Sequence, residues 1–318
     1  MKVLANDGIS PSGKAKLEAN GITVVTDFVP QDQLADAINK EGYVGLLVRS
    51  ATKVREALID ACPNLKFVGR GGVGVDNIDV AYAESKGITV FNTPAASSLS
   101  VAEMVMAQLF TLSRSLHDSN RQMPVNGLED FKGLKKKYGK GQELRGKTLG
   151  VIGFGRIGRA VASYALGCGM KVVAYDMFPN DNPVQLHIAG HGSIDVIVPN
   201  VSMEGLLSEA DLITLHVPKQ DDGTAVLGTA ELAKAKAGVI LVNTARGGSI
   251  DEEALLAALK SGHVKAAALD VFENEPTPRE DLLSHPNLSL TPHIGAATVE
   301  AQDRIGLELA DRILEIVK

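Results

Sequence analysis

Residues 147–176 read KTLGVIGFGRIGRAVASYALGCGMKVVAYD. Thr148 to Ile152 is a short apolar run of the kind that forms a buried parallel strand. Gly153, Gly155 and Gly158 follow as G-x-G-x-x-G, a helical pattern runs to about Gly167, and Val172 to Tyr175 forms a second strand ending at Asp176. The first glycine allows a tight turn, the second lets backbone approach a pyrophosphate, and the third lets helix pack on strand. The helix opens at Arg156 and Ile157, whose N–H groups would face phosphates with the helix dipole behind them. Asp176 lies 18 positions after Gly158, where a carboxylate can accept the adenosine ribose hydroxyls. Glycines alone also mark ordinary turns. Strand, glycines, helix, strand and acid in this order predict a dinucleotide site. Asp176 favours NAD over NADP, because a 2′-phosphate would meet its negative charge and no Arg or Lys follows in Met177–Phe178–Pro179.

The rest of the chain sets limits on that unit. At 318 residues it is long enough for about two domains. It is 45% hydrophobic and 22% charged, as in globular proteins with a sizeable core. A net charge of −6 argues against non-specific nucleic-acid or anionic-membrane binding. No apolar run reaches the ~18–20 residues of a membrane span. The N-terminus reads as a first strand rather than a signal peptide, so a cytoplasmic location is expected. Cys62 and Cys168 sit in no metal or redox spacing and read as reduced thiols.

The first 92 residues alternate short apolar runs with helical stretches. Strands are expected at Val3–Ala5, Thr23–Val25, Gly45–Val48, Phe67–Gly69 and Thr89–Phe91, with helices near Pro11–Asn20, Gln31–Asn39, Lys53–Ala61 and Ile78–Lys86. This predicts a small parallel α/β domain. Ser100 to Glu103 has the form of a capping box opening a long helix that fades near Ser119. Residues 120–146 are polar and basic. They read as an irregular surface segment with solvated lysines, or as one that sends a lysine of Lys135–Lys137 to an anionic substrate across a dimer. After Asp176, the apolar run Ile194–Val198 suggests an added strand or hairpin within residues 177–200. Further strands are expected at Leu212–Val217, Val239–Asn243, Ala266–Val271 and Leu288–Leu290. Helices near Met203–Glu209, Ala230–Lys236 and Glu252–Lys260 separate most of them, and an amphipathic helix closes the chain over Thr298–Lys318. The dinucleotide unit thus starts in mid-chain. That organisation allows a first α/β domain, a cofactor domain, and a final helix returning to the first, with a ligand between domains meeting the carboxyl ends of strands.

Three later segments carry residues suited to chemistry. Arg246 stands just past a strand end in LVNTARGGSIDEEAL, Glu275 in a loop in ALDVFENEP, and His293 in LTPHIGAAT. Singly, each has an ordinary explanation as a loop-capping Arg, a solvated acid or a helix-capping His. Together, at strand ends beside a dinucleotide unit, they fit hydride transfer to or from a 2-hydroxy acid. A His takes the hydroxyl proton or returns it, a contribution of typically ~10²–10⁴-fold. A neighbouring carboxylate favours the imidazolium. An Arg offers two parallel donors to carboxylate and carbonyl oxygens. His117, His187, His191, His263 and His285 read as surface or structural residues, whereas His216 in ITLHVP is placed to line the cofactor cleft.

These segments also carry a resemblance. GRGGVGVDNIDV, NTPAASSLSVAEM, GVIGFGRIGRAVA, ITLHVP, NTARGGSIDEEAL, AALDVFENEP and TPHIGAAT are similar to motifs of the D-isomer-specific 2-hydroxyacid dehydrogenase family, over essentially the full length. The resemblance implies two doubly wound parallel-sheet α/β domains. An NAD-binding Rossmann domain, residues 98–292, would be inserted into a flavodoxin-like substrate domain of residues 1–97 and 293–318. It implies catalytic roles for Arg246, Glu275 and His293. It places Gly153, Gly155, Arg156, Ile157, Gly158, Asp176, His216, Val217, Pro218, Thr244, Ala245, Asp270, Gly295 and Ala296 around NAD, with Asp270 near the nicotinamide amide. The Gly71–Gly72–Val73–Gly74 loop would offer N–H groups to the substrate carboxylate, and Arg49, Ser50 and Arg70 would sit near its carboxylate or phosphate end. The implied partners are a small anionic 2-hydroxy or 2-keto acid and a second copy of the chain, met through the helix from Ser100. VRSATKV at 48–54 before GRGGVGVDNID is most similar to members acting on a phosphorylated hydroxy acid. Four departures stand out: Val73 where Thr is common, Ser97 where Asn is common, no Trp before Leu144, and a longer stretch over 180–200. No C-terminal amino-acid-sensing domain is expected after the last helix.

Overall fold

The computed structural model describes residues 1–179, 182–220 and 222–317. The chain folds as two compact units, Met1–Ser100 with Ala296–Lys318, and Val101–Gly295. The sequence expectations at Asn180, Asp181 and Lys318 lie outside the described residues.

The first unit holds strands β1 (Lys2–Ala5), β2 (Thr23–Val25), β3 (Gly45–Val48), β4 (Phe67–Arg70) and β5 (Thr89–Asn92). They form one parallel sheet in the order β2-β1-β3-β4-β5. Helices Pro11–Ala19, Leu34–Glu41, Glu56–Ala61 and Val80–Ser85 alternate with the strands, as the apolar runs predict. Each β3 residue is buried, because a parallel sheet with crossover helices is covered on both faces. The chain's last helix, Val299–Ile316, is capped by Thr298 Oγ1 accepting from Ala301 N and buries Ile305, Leu309 and Ile313 in this unit. It crosses the first helix at a contact with no room for side chains. A Cβ on Gly13 would lie 2.4 Å from the Gly306 carbonyl oxygen.

The second unit holds β6 (Thr148–Ile152), β7 (Lys171–Tyr175), β8 (Val184–Ile188), β9 (Gly192–Val196), β10 (Leu212–Leu215), β11 (Val239–Asn243), β12 (Val264–Leu269) and β13 (Leu288–Leu290). Six of them build a parallel sheet in the order β13-β12-β11-β10-β6-β7, and β8 and β9 pair separately as an antiparallel hairpin. Alternate residues face opposite cores. Ile213, Leu215 and Leu241 pack with Leu206 and Leu255 on one side, and Leu149, Val151 and Val242 with Val105, Leu109 and Val161 on the other.

Two local expectations are corrected. The long helix starts at Ser98 rather than at a Ser100 cap; Ser100 Oγ instead shares a 2.8 Å hydrogen bond with Thr298 Oγ1. Residues 120–146 are not mainly irregular. The helix breaks at Ser115 (φ 52°) and resumes as Leu116–Asn126, and a further helix spans Phe131–Tyr138. Asp130 caps the latter by accepting from Gly133 N, and Leu134 is buried beneath it. Asp118 ties the two helices together, accepting from Lys137 Nζ at 2.8 Å and Tyr138 OH at 2.6 Å. Lys137 thus forms a surface ion pair with Asp118. Composition concealed these helices because they bury little apolar surface: Leu116–Asn126 has no buried residue and Phe131–Tyr138 only Leu134. The expected run over 177–200 is the β8–β9 hairpin.

The Gly13–Gly306 crossing yields a stability prediction. Gly→Ala in a helix normally gains up to ~1 kcal/mol of propensity. Here the new methyl group meets backbone, which cannot rotate away, and overpacking costs typically ~1–3 kcal/mol. Gly13→Ala should therefore lower the urea midpoint of unfolding. Gly167→Ala, whose methyl group would meet only Leu186 Cδ1 at 3.6 Å, should leave it unchanged or raise it. Equal midpoints for the wild type and Gly13→Ala would contradict the close crossing.

Candidate active site

Each strand of the six-stranded sheet runs the same way, so all six carboxyl ends lie along one edge of the unit. Gly153 follows β6, Asp176 follows β7, His216 follows β10, Thr244 follows β11, Asp270 follows β12 and Thr291 follows β13. The strand order sorts these positions. The β10-β6-β7 half carries His216, the glycine turn and Asp176. The β13-β12-β11 half leads into the segments that carry His293, Glu275 and Arg246.

The glycine turn has the shape the sequence predicts. Gly153 adopts φ +87°, and a Cβ there would lie 2.6 Å from the His216 carbonyl oxygen. A Cβ on Gly158 would lie 2.2 Å from the Gly153 oxygen, so helix Arg156–Gly167 sits directly on the turn. Over Gly155 the space is open, and its backbone caps the helix without a side-chain hydrogen bond. Helix geometry leaves the first-turn N–H groups at Arg156 and Ile157 without intrahelical partners. Asp176 is oriented by its own backbone neighbours. Oδ2 accepts from Phe154 N at 2.6 Å and Oδ1 from Phe178 N at 2.8 Å.

Two buried polar atoms on this edge have no hydrogen-bond partner among the described residues, His216 Nδ1 and Thr244 Oγ1. Buried polar atoms are rarely left so, and a polar ligand along the strand ends would satisfy them. With the open Gly155 cradle and the helix N-terminus, this set fits a dinucleotide. His216 shares a 3.0 Å hydrogen bond between Nε2 and Thr214 Oγ1, and burial pushes its pKa down to about 3. It is therefore a neutral imidazole near pH 7. Val217 and Pro218 continue from it beyond the strand, which ends earlier than the apolar pattern suggests.

The other half of the edge is a hydrogen-bonded relay. Glu275 Oε2 lies 2.8 Å from His293 Nδ1, and Glu275 Oε1 accepts from Phe272 N at 3.0 Å. A carboxylate can only accept, so Nδ1 carries the hydrogen, and in the neutral ring Nε2 is the acceptor. Both side chains are accessible, at 49% for His293 and 36% for Glu275. His293 has φ +53°, a left-handed conformation uncommon outside glycine. Asp270 holds that turn. Only 3% exposed, its carboxylate accepts from Thr291 Oγ1 at 2.6 Å, Ile294 N at 2.9 Å and Gly295 N at 2.8 Å. The observed partners of Asp270 are thus the chain around His293. Ala296 follows that turn at the start of the returning segment of the first unit.

Arg246 lies in a turn fixed by Asn243, the last residue of β11. Asn243 Nδ2 donates to the Arg246 carbonyl at 2.9 Å, and Asn243 Oδ1 accepts from Ala245 N at 3.0 Å. Arg246 Nη1 donates to the Ala245 carbonyl at 2.7 Å. Sequence reading passed over Asn243. A buried Asn closing the apolar strand VILVN is the signal that could have found it.

Arg49, Ser50, Arg70 and the Gly71–Gly74 loop belong to the first unit. Arg70 ends β4 opposite Val48 of β3, so Arg49 and Arg70 issue from neighbouring strand ends. The loop after β3 is clamped on both sides. Asp7 accepts from Arg49 N at 2.6 Å, Thr52 N at 3.1 Å and Thr52 Oγ1 at 2.6 Å. Asn77 Nδ2 donates to the carbonyls of Arg49 and Thr52. Asp7, Thr52 and Asn77 were not singled out from sequence. In the glycine loop, two of the expected donors are already engaged. Gly71 N donates to the Val48 carbonyl at 2.8 Å and Gly72 N to Thr93 Oγ1 at 2.8 Å. Val73 and Gly74 are the positions whose N–H groups make no hydrogen bond among the described residues.

Comparison with known proteins agrees with this geometry. The NAD binding domain model of the D-isomer specific 2-hydroxyacid dehydrogenases matches residues 106–295. The chain is 44% identical to a hydroxypyruvate reductase of Thermotoga maritima, across 92% of this chain and 90% of that protein. It is 40% identical to a D-3-phosphoglycerate dehydrogenase of Archaeoglobus fulgidus, across 100% of this chain but 58% of that relative's length. Among solved structures, the TT0316 protein from Thermus thermophilus superposes with a TM-score of 0.85 at 32% identity, covering 100% of this chain and 97% of that one. The chain therefore belongs to the D-isomer specific 2-hydroxyacid dehydrogenases, a family of oxidoreductases, and its cofactor is NAD.

Proposed function

We propose that the protein interconverts D-3-phosphoglycerate and 3-phosphohydroxypyruvate with NAD, the reaction that opens serine biosynthesis. The observation that carries the chemistry is the Glu275–His293 hydrogen bond of 2.8 Å beside the Arg246 turn. Oxidation removes a proton from the substrate hydroxyl and a hydride from C2. NAD, when bound, accepts the hydride. His293 takes the proton at Nε2, because Glu275 holds the hydrogen on Nδ1 and compensates the charge the ring gains. In the reverse direction the same nitrogen returns the proton. Arg246 pairs with the substrate carboxylate and polarises the C2 oxygen as it becomes a carbonyl. Asp176 accepts the adenosine ribose hydroxyls, and the N–H groups at Arg156 and Ile157 receive the pyrophosphate. Arg49 and Arg70, at neighbouring strand ends, supply positive charge for the phosphate, and the Val73 and Gly74 N–H groups serve the carboxylate.

A second reading has its own support. The relative at 44% identity, matched over nearly its whole length, is a hydroxypyruvate reductase. Hydroxypyruvate differs from phosphohydroxypyruvate only by the phosphoryl group, so the two readings share His293, Glu275 and Arg246 and part at Arg49. The discriminating measurement is kcat/KM with NADH for phosphohydroxypyruvate, hydroxypyruvate and glyoxylate. The phosphorylated acid should be preferred by at least about tenfold. Arg49→Ala should remove that preference while sparing hydroxypyruvate, since one charge-assisted hydrogen bond contributes roughly 1.5–3 kcal/mol. Preference for hydroxypyruvate in the wild type would assign the second reading.

His293→Ala should lower kcat by about 10²–10⁴-fold, with NAD affinity by calorimetry changed little. Wild-type turnover in that variant would remove His293 from the chemistry. Asp176→Ala should reduce the ratio of kcat/KM with NAD to that with NADP by roughly tenfold, the scale of one ~1.4 kcal/mol interaction. An unchanged ratio would show that cofactor choice is set elsewhere.

A further inference from the structure

Glu252 is a carboxylate in an unusual place. It is 4% exposed and opens helix Glu252–Ser261, yet that helix is already capped by Asp251, which accepts from Ala254 N at 2.8 Å. The Glu252 carboxylate reaches away from its own helix. Its Oε1 accepts from Glu273 N at 2.8 Å, and Glu273 Oε1 accepts from Glu252 N at 3.2 Å. The two residues thus exchange side-chain acceptors for each other's backbone N–H groups across 21 positions of sequence. Burial pushes the Glu252 carboxyl above the ordinary carboxylate range. A buried charge costs several kcal/mol unless compensated, and an apolar side chain could fill the same space. The carboxylate therefore has a task that packing does not explain.

What it joins is specific. Glu252 follows the turn 246–251, which carries Arg246. Glu273 lies in the loop that carries Glu275. Phe272 N and Glu273 N are consecutive donors; Glu275 Oε1 takes the first and Glu252 Oε1 the second. The two segments also touch through backbone. A Cβ on Gly247 would lie 1.8 Å from the Phe272 carbonyl oxygen. We propose that Glu252 and Glu273 form a positioning clamp, in which reciprocal carboxylate-to-amide hydrogen bonds lock the Arg246 turn to the Glu275 loop and so hold Glu275 against His293. Neither is a catalytic residue, and both act through Glu275 and Arg246. The kinetic consequence rests on the roles proposed above for those residues; the mechanical one does not.

The test compares Glu252→Ala, which removes the acceptor, with Glu252→Gln, which keeps a carbonyl Oε1 for Glu273 N and removes the charge. Two readouts are taken, steady-state kinetics with NADH and a 2-keto acid, and hydrogen–deuterium exchange without ligand. Since small misplacements of catalytic groups cost up to about 10²-fold, Glu252→Ala should lower kcat by about tenfold or more with KM for NADH changed less than about twofold. Glu252→Gln should retain most of kcat. Exchange should accelerate in peptides spanning 271–277 of Glu252→Ala, and neither elsewhere nor in Glu252→Gln. Wild-type kcat and exchange in Glu252→Ala would overturn the clamp. So would equal loss in both variants, or a general rise in exchange with a parallel rise in the NADH KM. Should Glu252→Ala fail to fold, Glu273→Ala at its exposed position, which removes the acceptor of Glu252 N, should accelerate exchange in peptides spanning 246–253 and cause a smaller loss of kcat, both rescued by Glu273→Gln; no change in either readout would overturn the clamp. If the wild type reduces no 2-keto acid, the functional reading fails, and the exchange experiment still decides the clamp.

Discussion

The position of His293 depends on one buried carboxylate. Asp270 is almost inaccessible, and an isolated charge there would be prohibitive. It is tolerated because three donors, Thr291 Oγ1, Ile294 N and Gly295 N, converge on its two oxygens. Those donors bracket residue 293. Their geometry leaves His293 a left-handed backbone, a conformation that costs of order 1–3 kcal/mol outside glycine and persists only where the surroundings impose it. The strain has a visible product. The imidazole stands with Nδ1 2.8 Å from the Glu275 carboxylate, which can only accept from it.

The parallel sheet supplies the second constraint. Because every strand points the same way, loops that are far apart in sequence begin on one edge, and the strand order decides which loops are neighbours. The break in sequence order between β6 and β10 sits in the middle of that edge. On one side lie the glycine turn and Asp176, matched to a dinucleotide by an open cradle and a helix N-terminus. On the other lie three successive strands whose loops bring Arg246, Glu275 and His293. The neutral imidazole of His216 lies at the junction, contributing hydrogen-bonding capacity without charge. The dinucleotide turn and the Glu275–His293 pair therefore issue from adjacent groups of strands that share one sheet.

Much of this was legible in the sequence, for a local reason. The glycine turn, the acid after β7 and the strand runs are decided within a few residues of themselves, so pattern and spacing suffice. β2, β3, β11 and β13 coincide with the apolar runs that predict them. Failures came where a distant partner decides. The Ser100 capping box was displaced because its hydroxyl pairs with Thr298. The basic segment holds two helices that bury almost no apolar surface and are joined by Asp118 to Lys137 and Tyr138. The glycine loop looked like a row of donors, yet Thr93 and Val48 take two of them. The Glu252–Glu273 exchange could not be read at all, since in sequence both are ordinary acids in polar surroundings. Sequence pattern thus located the residues suited to chemistry more readily than the residues that hold them in place.

The same distinction bears on substrate choice. In the mechanism proposed above, Glu275, His293 and Arg246 address the carboxylate end and C2 of the acid, so that group is indifferent to what is attached at C3. On the functional reading proposed above, discrimination falls to the loop after β3. That loop is not free to adapt. Asp7 holds its N–H groups and Asn77 its carbonyls, and Asn6 Nδ2 donates to the Thr52 hydroxyl at 2.8 Å. With the backbone fixed, binding a phosphate there would require little ordering beyond the Arg49 and Arg70 side chains, and preorganisation of this kind limits the entropy lost on association. On that reading, a loop so constrained would make phosphate recognition a property of very few side chains.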